Sequence, residues 1–200
     1  MPETSRYEVL ANRVKSEFPR FNVKERDKSW LFPIFWLLKK ITSQDYKTFT
    51  TTIFSTMYVG PTWEKKSDEQ KYRTLRHELV HIRQFHCFPL GRWAWPVNHL
   101  LMSLCYLLLL PVLWTFRAKF EREGYTQSLL VEFELKGPIS ENRKEDNARW
   151  MAQTFGGGAY ALMWTKKKAY AWAMDVQRKI NAGEITNPRD RVLLPDEAAA

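Results

Sequence analysis

The residues best suited to chemistry in this chain are His77, Glu78 and His81 in the run HELVH, with a pair of carboxylates farther on at Glu121 and Glu123. Residues four apart on a helix share a face, so both imidazoles of HELVH can reach one cation while Glu78 projects beside them. Two ligands for a zinc ion and a base for a zinc-activated water therefore arrive within one turn. With 4 His and 15 Glu in 200 residues, random order would produce the pattern about 0.006 times per chain. The competing reading is an ordinary amphipathic helix whose histidines are solvated or packed in the core.

These residues need a helix to position them, and the flanking sequence supplies its signals. Ser67 followed by Gln70 is a capping-box pattern, Asp68 and Glu69 suit the positive end of the helix dipole, and Pro89 marks a stop. A helix over 67–88 is expected, with Tyr72, Leu75, Leu79, Ile82 and His86 on its buried face and His77, His81, Gln84 and Phe88 on the opposite one. Two histidines hold zinc loosely, and catalytic sites usually add a third protein ligand plus water. Glu121 and Glu123 point about 160° apart on a helix, so one of them can face the metal. Glu121 is the choice, because it shares its face with Tyr125 and Ser128 and is flanked by Gly124, where the backbone can approach the HELVH helix closely.

HELVH followed by Glu121-Arg122-Glu123-Gly124-Tyr125 resembles the HExxH zinc metallopeptidases of the gluzincin type, in which a glutamate on a later helix is the third ligand and a small residue, commonly alanine, stands three positions after it. The resemblance covers roughly 48–130. It implies a zincin-like α+β fold, predominantly helical with a small β-sheet. It also implies peptide-bond hydrolysis with Zn2+ held by His77, His81 and Glu121, with Glu78 as general base. The strand before the metal helix would bind extended substrate by strand addition. Tyr125 stands where an aspartate often supports a zinc-binding histidine, which leaves that supporting group unassigned. Another gluzincin pattern has a glycine directly after the ligand glutamate and would select Glu123 instead. Tyr125 and Tyr160 are candidates for the donor that stabilises the developing oxyanion.

Length and composition suit one domain over 1–200, with an apolar insertion at about 93–116 between the two metal-ligand helices. The formal charge of +9 is dispersed among acidic residues and accompanies no nucleic-acid module, so a solvated basic surface is expected and nucleic-acid binding is not, while a peptide or protein partner is what the resemblance implies. Cys87 and Cys105 form no CxxC pair and read as thiols of a reducing compartment. His86 and His99 read as structural. The opening MPETSRYEVLANRV lacks an apolar signal core, so a cytoplasmic location is expected.

Ser5 with Glu8 suggests a capping box for a first helix whose face carries Tyr7, Leu10, Val14 and Phe18. An extended piece near 21–26 follows. The run SWLFPIFWLLKKI is then either a core helix or an interfacial one. Residues 48–59, rich in β-branched and aromatic side chains, read as one strand. Residues 93–116 contain no Asp, Glu, Lys or Arg. They are long enough to span a bilayer, yet one complete crossing would separate His81 from Glu121 by about 30 Å. A helix buried in the core, a broken hairpin entering one leaflet, or an apolar lid in peripheral membrane contact satisfies both constraints. A charged helix over 140–151, a glycine link at 156–158 and a helix over about 160–181 stopped by Gly183 complete the chain, with a loosely held tail at 186–200. The rival to an enzyme is a non-catalytic zinc-containing protein that docks on a partner or membrane.

Overall fold

In a computed structural model, the described residues are 5–29, 50–53, 55–86, 114–157 and 164–194. They form α1 (Arg6–Glu17), β1 (Asn22–Glu25), β2 (Thr51–Ile53), β3 (Thr56–Val59), α2 (Asp68–His86), α3 (Trp114–Lys136), α4 (Glu141–Phe155) and α5 (Lys166–Asn181). The architecture is predominantly helical with a small three-stranded sheet, an α+β arrangement.

The expected capping box of α2 is made in both directions: the Ser67 N–H donates to Gln70 Oε1 at 3.1 Å and the Gln70 N–H to Ser67 Oγ at 3.3 Å. At α1, Ser5 Oγ accepts from the Glu8 N–H at 3.2 Å. The second half of that cap comes from Asp68, whose carboxylate accepts the N–H groups of Arg6 and Tyr7 at 3.1 Å each and the Ser5 hydroxyl. The start of α2 is thereby fastened to the start of α1, and Leu10 and Val14 of α1 are buried in the same core as α2.

The sheet has the order β1-β3-β2, with β1 parallel and β2 antiparallel to β3. The single strand expected over 48–59 is instead a hairpin, pairing Ile53 with Thr56 and Thr51 with Tyr58. The stretch lacks the Gly, Asn or Pro that signals a tight turn. Distant partners hold this turn: the Ser55 hydroxyl lies 3.0 Å from His86 Nε2, and the Ser55 carbonyl accepts from the Asn22 N–H at 3.1 Å. Edge strand β2 lies against α2.

Two apolar clusters flank α3. One joins Leu10, Val14, Met57 and Val59 to Tyr72, Leu75, Leu79 and Ile82 of α2 and to Val131. The other joins Leu129 and Leu130 to Met151 and Phe155 of α4 and Ala173 and Ile180 of α5. Of the α2 face expected to be buried, Tyr72, Leu75, Leu79 and Ile82 are buried and His86 is partly buried, and α3 contributes apolar residues on two sides. Helix α4 runs past the expected 151 because Ala152 and Phe155 extend its apolar stripe. Helix α5 is capped by Thr165, and Gly183 follows it with φ 73°.

The expected loose tail is corrected over 187–192. The Tyr72 hydroxyl accepts from the Val192 N–H at 3.1 Å, and Asp190 receives both ends of the Arg83 guanidinium at 2.6 and 2.8 Å. These partners lie more than 100 positions away, beyond any local signal. Among the described residues no helix is long and apolar enough to cross a membrane. All but Ser29 of the run at 29–41, nearly all of 93–116, Cys87, Cys105, His99 and Tyr160 lie outside the described residues.

Candidate metal centre

Helix α2 presents His77 and His81 one turn apart, and α3 crosses them at Gly124. The crossing is close. A Cβ at Gly124 would sit 2.8 Å from His77 Cε1 and Nε2 and 3.0 Å from Nδ1, so a hydrogen is what this position tolerates. One side of the contact line carries Glu121 and the other Gln127 and Glu134. Buried Arg76 of α2 clamps that second side, donating to Glu134 at 3.0 and 3.3 Å, to Gln127 Oε1 at 3.0 Å and to the Tyr72 hydroxyl at 2.9 Å. The clamp fixes how α2 and α3 sit against each other, and hence where Glu121 meets the histidines.

His77, His81 and Glu121 come together as the one group of three or more His, Cys, Asp or Glu able to hold a metal ion among the described residues. The two Nε2 atoms are 3.3 Å apart, and Glu121 Oε2 lies 3.6 Å from that of His77 and 3.8 Å from that of His81. A point equidistant from the three atoms lies about 2.1 Å from each at its closest, within the roughly 2.0–2.2 Å of zinc–imidazole and zinc–carboxylate bonds. The donors therefore fit zinc in size and type.

Protonation supports the same fit. Gln84 Nε2 donates to Glu123 Oε2 at 2.8 Å, and an ionised carboxylate only accepts, so the amide orientation is set. Gln84 Oε1 then faces His81 Nδ1 at 3.0 Å, which places the ring proton on Nδ1 and a lone pair on Nε2. His77 Nδ1 has Ser128 Oγ at 3.5 Å, and the Tyr125 ring packs edge-on against His77 at 4.8 Å. Burial disfavours the charged form of His77, but the hydrogen bond to Glu121 and the charges of Glu78 and Glu121 outweigh it against an opposing Arg73. Without metal, this imidazole titrates above its ordinary value. A buried Glu121 carboxylate facing two imidazoles, with the buried Glu78 charge acting at His77, favours a cation among them.

Glu78 is 5% exposed and accepts a 2.6 Å hydrogen bond at Oε2 from Thr52 Oγ1 of β2. Thr52 is itself buried, so the edge strand and the carboxylate are tied together in a water-poor place. Glu123, the alternative ligand, is not in the metal group and is held by Gln84 instead. Tyr125 is buried against His77, Trp150 and Phe155. His86 lies with Ser55 and Phe18 and is not in the group formed by His77, His81 and Glu121.

Sequence reasoning did not assign Gln84, Ser128 or Thr52 a role. The first two stood on the correct helical stripes, and their spacing from His81 and Glu121 was the available signal. Thr52 carried none, since its reach to Glu78 depends on the hairpin. No family model matches this chain, and no curated protein or solved structure shows a match to it.

Proposed function

We propose that this protein is a zinc-dependent peptidase whose metal is held by His77, His81 and Glu121 and whose general base is Glu78. The observation that carries the reading is a buried carboxylate outside the ligand triangle, next in sequence to one ligand, with one oxygen engaged by Thr52. A purely structural zinc site closes with four protein ligands and has no use for such a group, whereas three ligands leave a position open.

When bound, zinc supplies the positive charge that acidifies a water and polarises a carbonyl. Thr52 steadies Glu78 through Oε2, so Oε1 is the oxygen that accepts a proton and later delivers it to the departing amine. Burial around Glu78 strengthens these interactions by excluding bulk water. Strand β2 is at the edge of the sheet and beside the base, a place where an extended peptide can add as a further strand. That neighbourhood favours a peptide over a compact small molecule.

The test measures zinc content and hydrolysis of unstructured peptides by wild type and Glu78→Gln. The amide should keep zinc and fold while losing most of the activity. Hydrolysis that is unchanged in Glu78→Gln, or absent from zinc-loaded wild type across a broad peptide library, would overturn the proposal.

A further inference from the structure

Arg73 stands one helical turn before His77 and two before His81, at the i, i+4, i+8 spacing that keeps the three on one side of α2. It is partly buried. Its natural helical partners are committed elsewhere. Glu69, four residues earlier, pairs with Lys136 at 2.6 Å, and Gln70, three residues earlier, closes the capping box with Ser67.

The contrast with neighbouring arginines on the same helix is informative. Arg76 has Glu134, Gln127 and the Tyr72 hydroxyl, and Arg83 has Asp190 and Glu17. Among the described residues Arg73 has no hydrogen bond or ion pair.

We propose that Arg73 is a carboxylate-binding residue beside the metal centre, so that the peptides taken by this site carry a free carboxylate close to the bond that is cut. A partly buried guanidinium with no anionic partner gains from a carboxylate that a ligand brings, and this one stands one turn from His77. The guanidinium presents a planar pair of N–H donors matched to a carboxylate, and among the described residues no protein carboxylate pairs with it. The carboxylate-binding assignment concerns ligand binding alone; the reference to a bond being cut rests on the peptidase reading.

The test is a calorimetric titration of the protein, as purified and after zinc loading, with three acetylated peptides. These are Ala-Ala-Ala with a free C-terminus, the same peptide as its amide, and the amide of Ala-Glu-Ala. At least one carboxylate peptide should bind about tenfold or more tightly than the neutral amide, and which one does so separates a terminal from a side-chain carboxylate. The preference should vanish in Arg73→Gln and survive in part in Arg73→Lys, which also serves if the glutamine variant fails to fold. Equal binding of all three peptides, no binding of any, or a preference that persists in Arg73→Gln overturns the assignment. Carboxylate-dependent binding without Glu78-dependent hydrolysis would leave Arg73 in its role and remove the peptidase reading.

Discussion

Gly124→Ala separates the candidate metal site from the fold more sharply than substitution of any candidate ligand. The added methyl carbon would lie 2.8 Å from two atoms of the His77 ring and 3.0 Å from a third. Carbon contacts are most favourable at about 3.5–4.0 Å, so relief requires a movement of roughly 0.7 Å or more by the ring or by α3. Either movement pulls His77 Nε2 out of a triangle whose sides are 3.3, 3.6 and 3.8 Å, or takes Glu121 away with its helix. Helix propensity acts in the opposite direction, since alanine inside a helix is favoured over glycine by about 1 kcal/mol. The metal-free variant should therefore melt within a few degrees of wild type. Its zinc affinity should fall about 10–100-fold, the scale seen when groups supporting a ligand are disturbed. Chelator competition for zinc, together with melting curves of the metal-free proteins, measures both quantities. Wild-type zinc affinity in Gly124→Ala would refute the close crossing of α3 over His77. That result would fit the alanine at the corresponding position of the resembling peptidases.

Gln84→Leu should weaken zinc about 10–100-fold in the same competition assay, because it removes the acceptor that fixes the His81 ring proton on Nδ1. Glu134→Ala should cost about 3–5 kcal/mol in denaturant unfolding, since it leaves the Arg76 guanidinium buried without its carboxylate. Zinc affinity should decline as pH falls from above the ordinary histidine value of about 6.5, because Glu121 and the nearby charges raise His77 against its burial, and a protonated ring cannot bind metal. Burial raises the Asp190 carboxyl, but Arg83 and Asn187 more than offset this and hold it below its ordinary value. Its contribution is thus complete above the unfolded value of about 3.9 and is lost as pH falls through the depressed folded one. Asp190→Asn should lower stability near neutral pH by about 1.5–3 kcal/mol, measured by denaturant unfolding.

Local rules revealed the helix that carries the histidines, because caps, dipole signals and a clean apolar stripe all agreed over 67–88. Glu121 was legible for a related reason: Gly124 marked where two helices touch, and the side-chain direction then separated Glu121 from Glu123. A position about 100° from that contact line still takes part, however, as Glu123 does through the long Gln84 side chain. The hairpin at Ser55 and the docked segment at 187–192 were hidden because their stabilising partners are His86, Asn22, Tyr72 and Arg83, remote in sequence. Helix α3 announces no single buried face, since it packs apolar side chains into both clusters.

The most direct measurement of the metal centre is zinc stoichiometry by elemental analysis after dialysis, made on wild type, His77→Ala, His81→Ala, Glu121→Ala and Glu123→Ala. Wild type should hold about one zinc per chain, both histidine variants and Glu121→Ala should lose most of it, and Glu123→Ala should keep more than any of these three. Zinc retained by Glu121→Ala and lost from Glu123→Ala, or retained at full stoichiometry without both histidines, would contradict the His77, His81 and Glu121 centre.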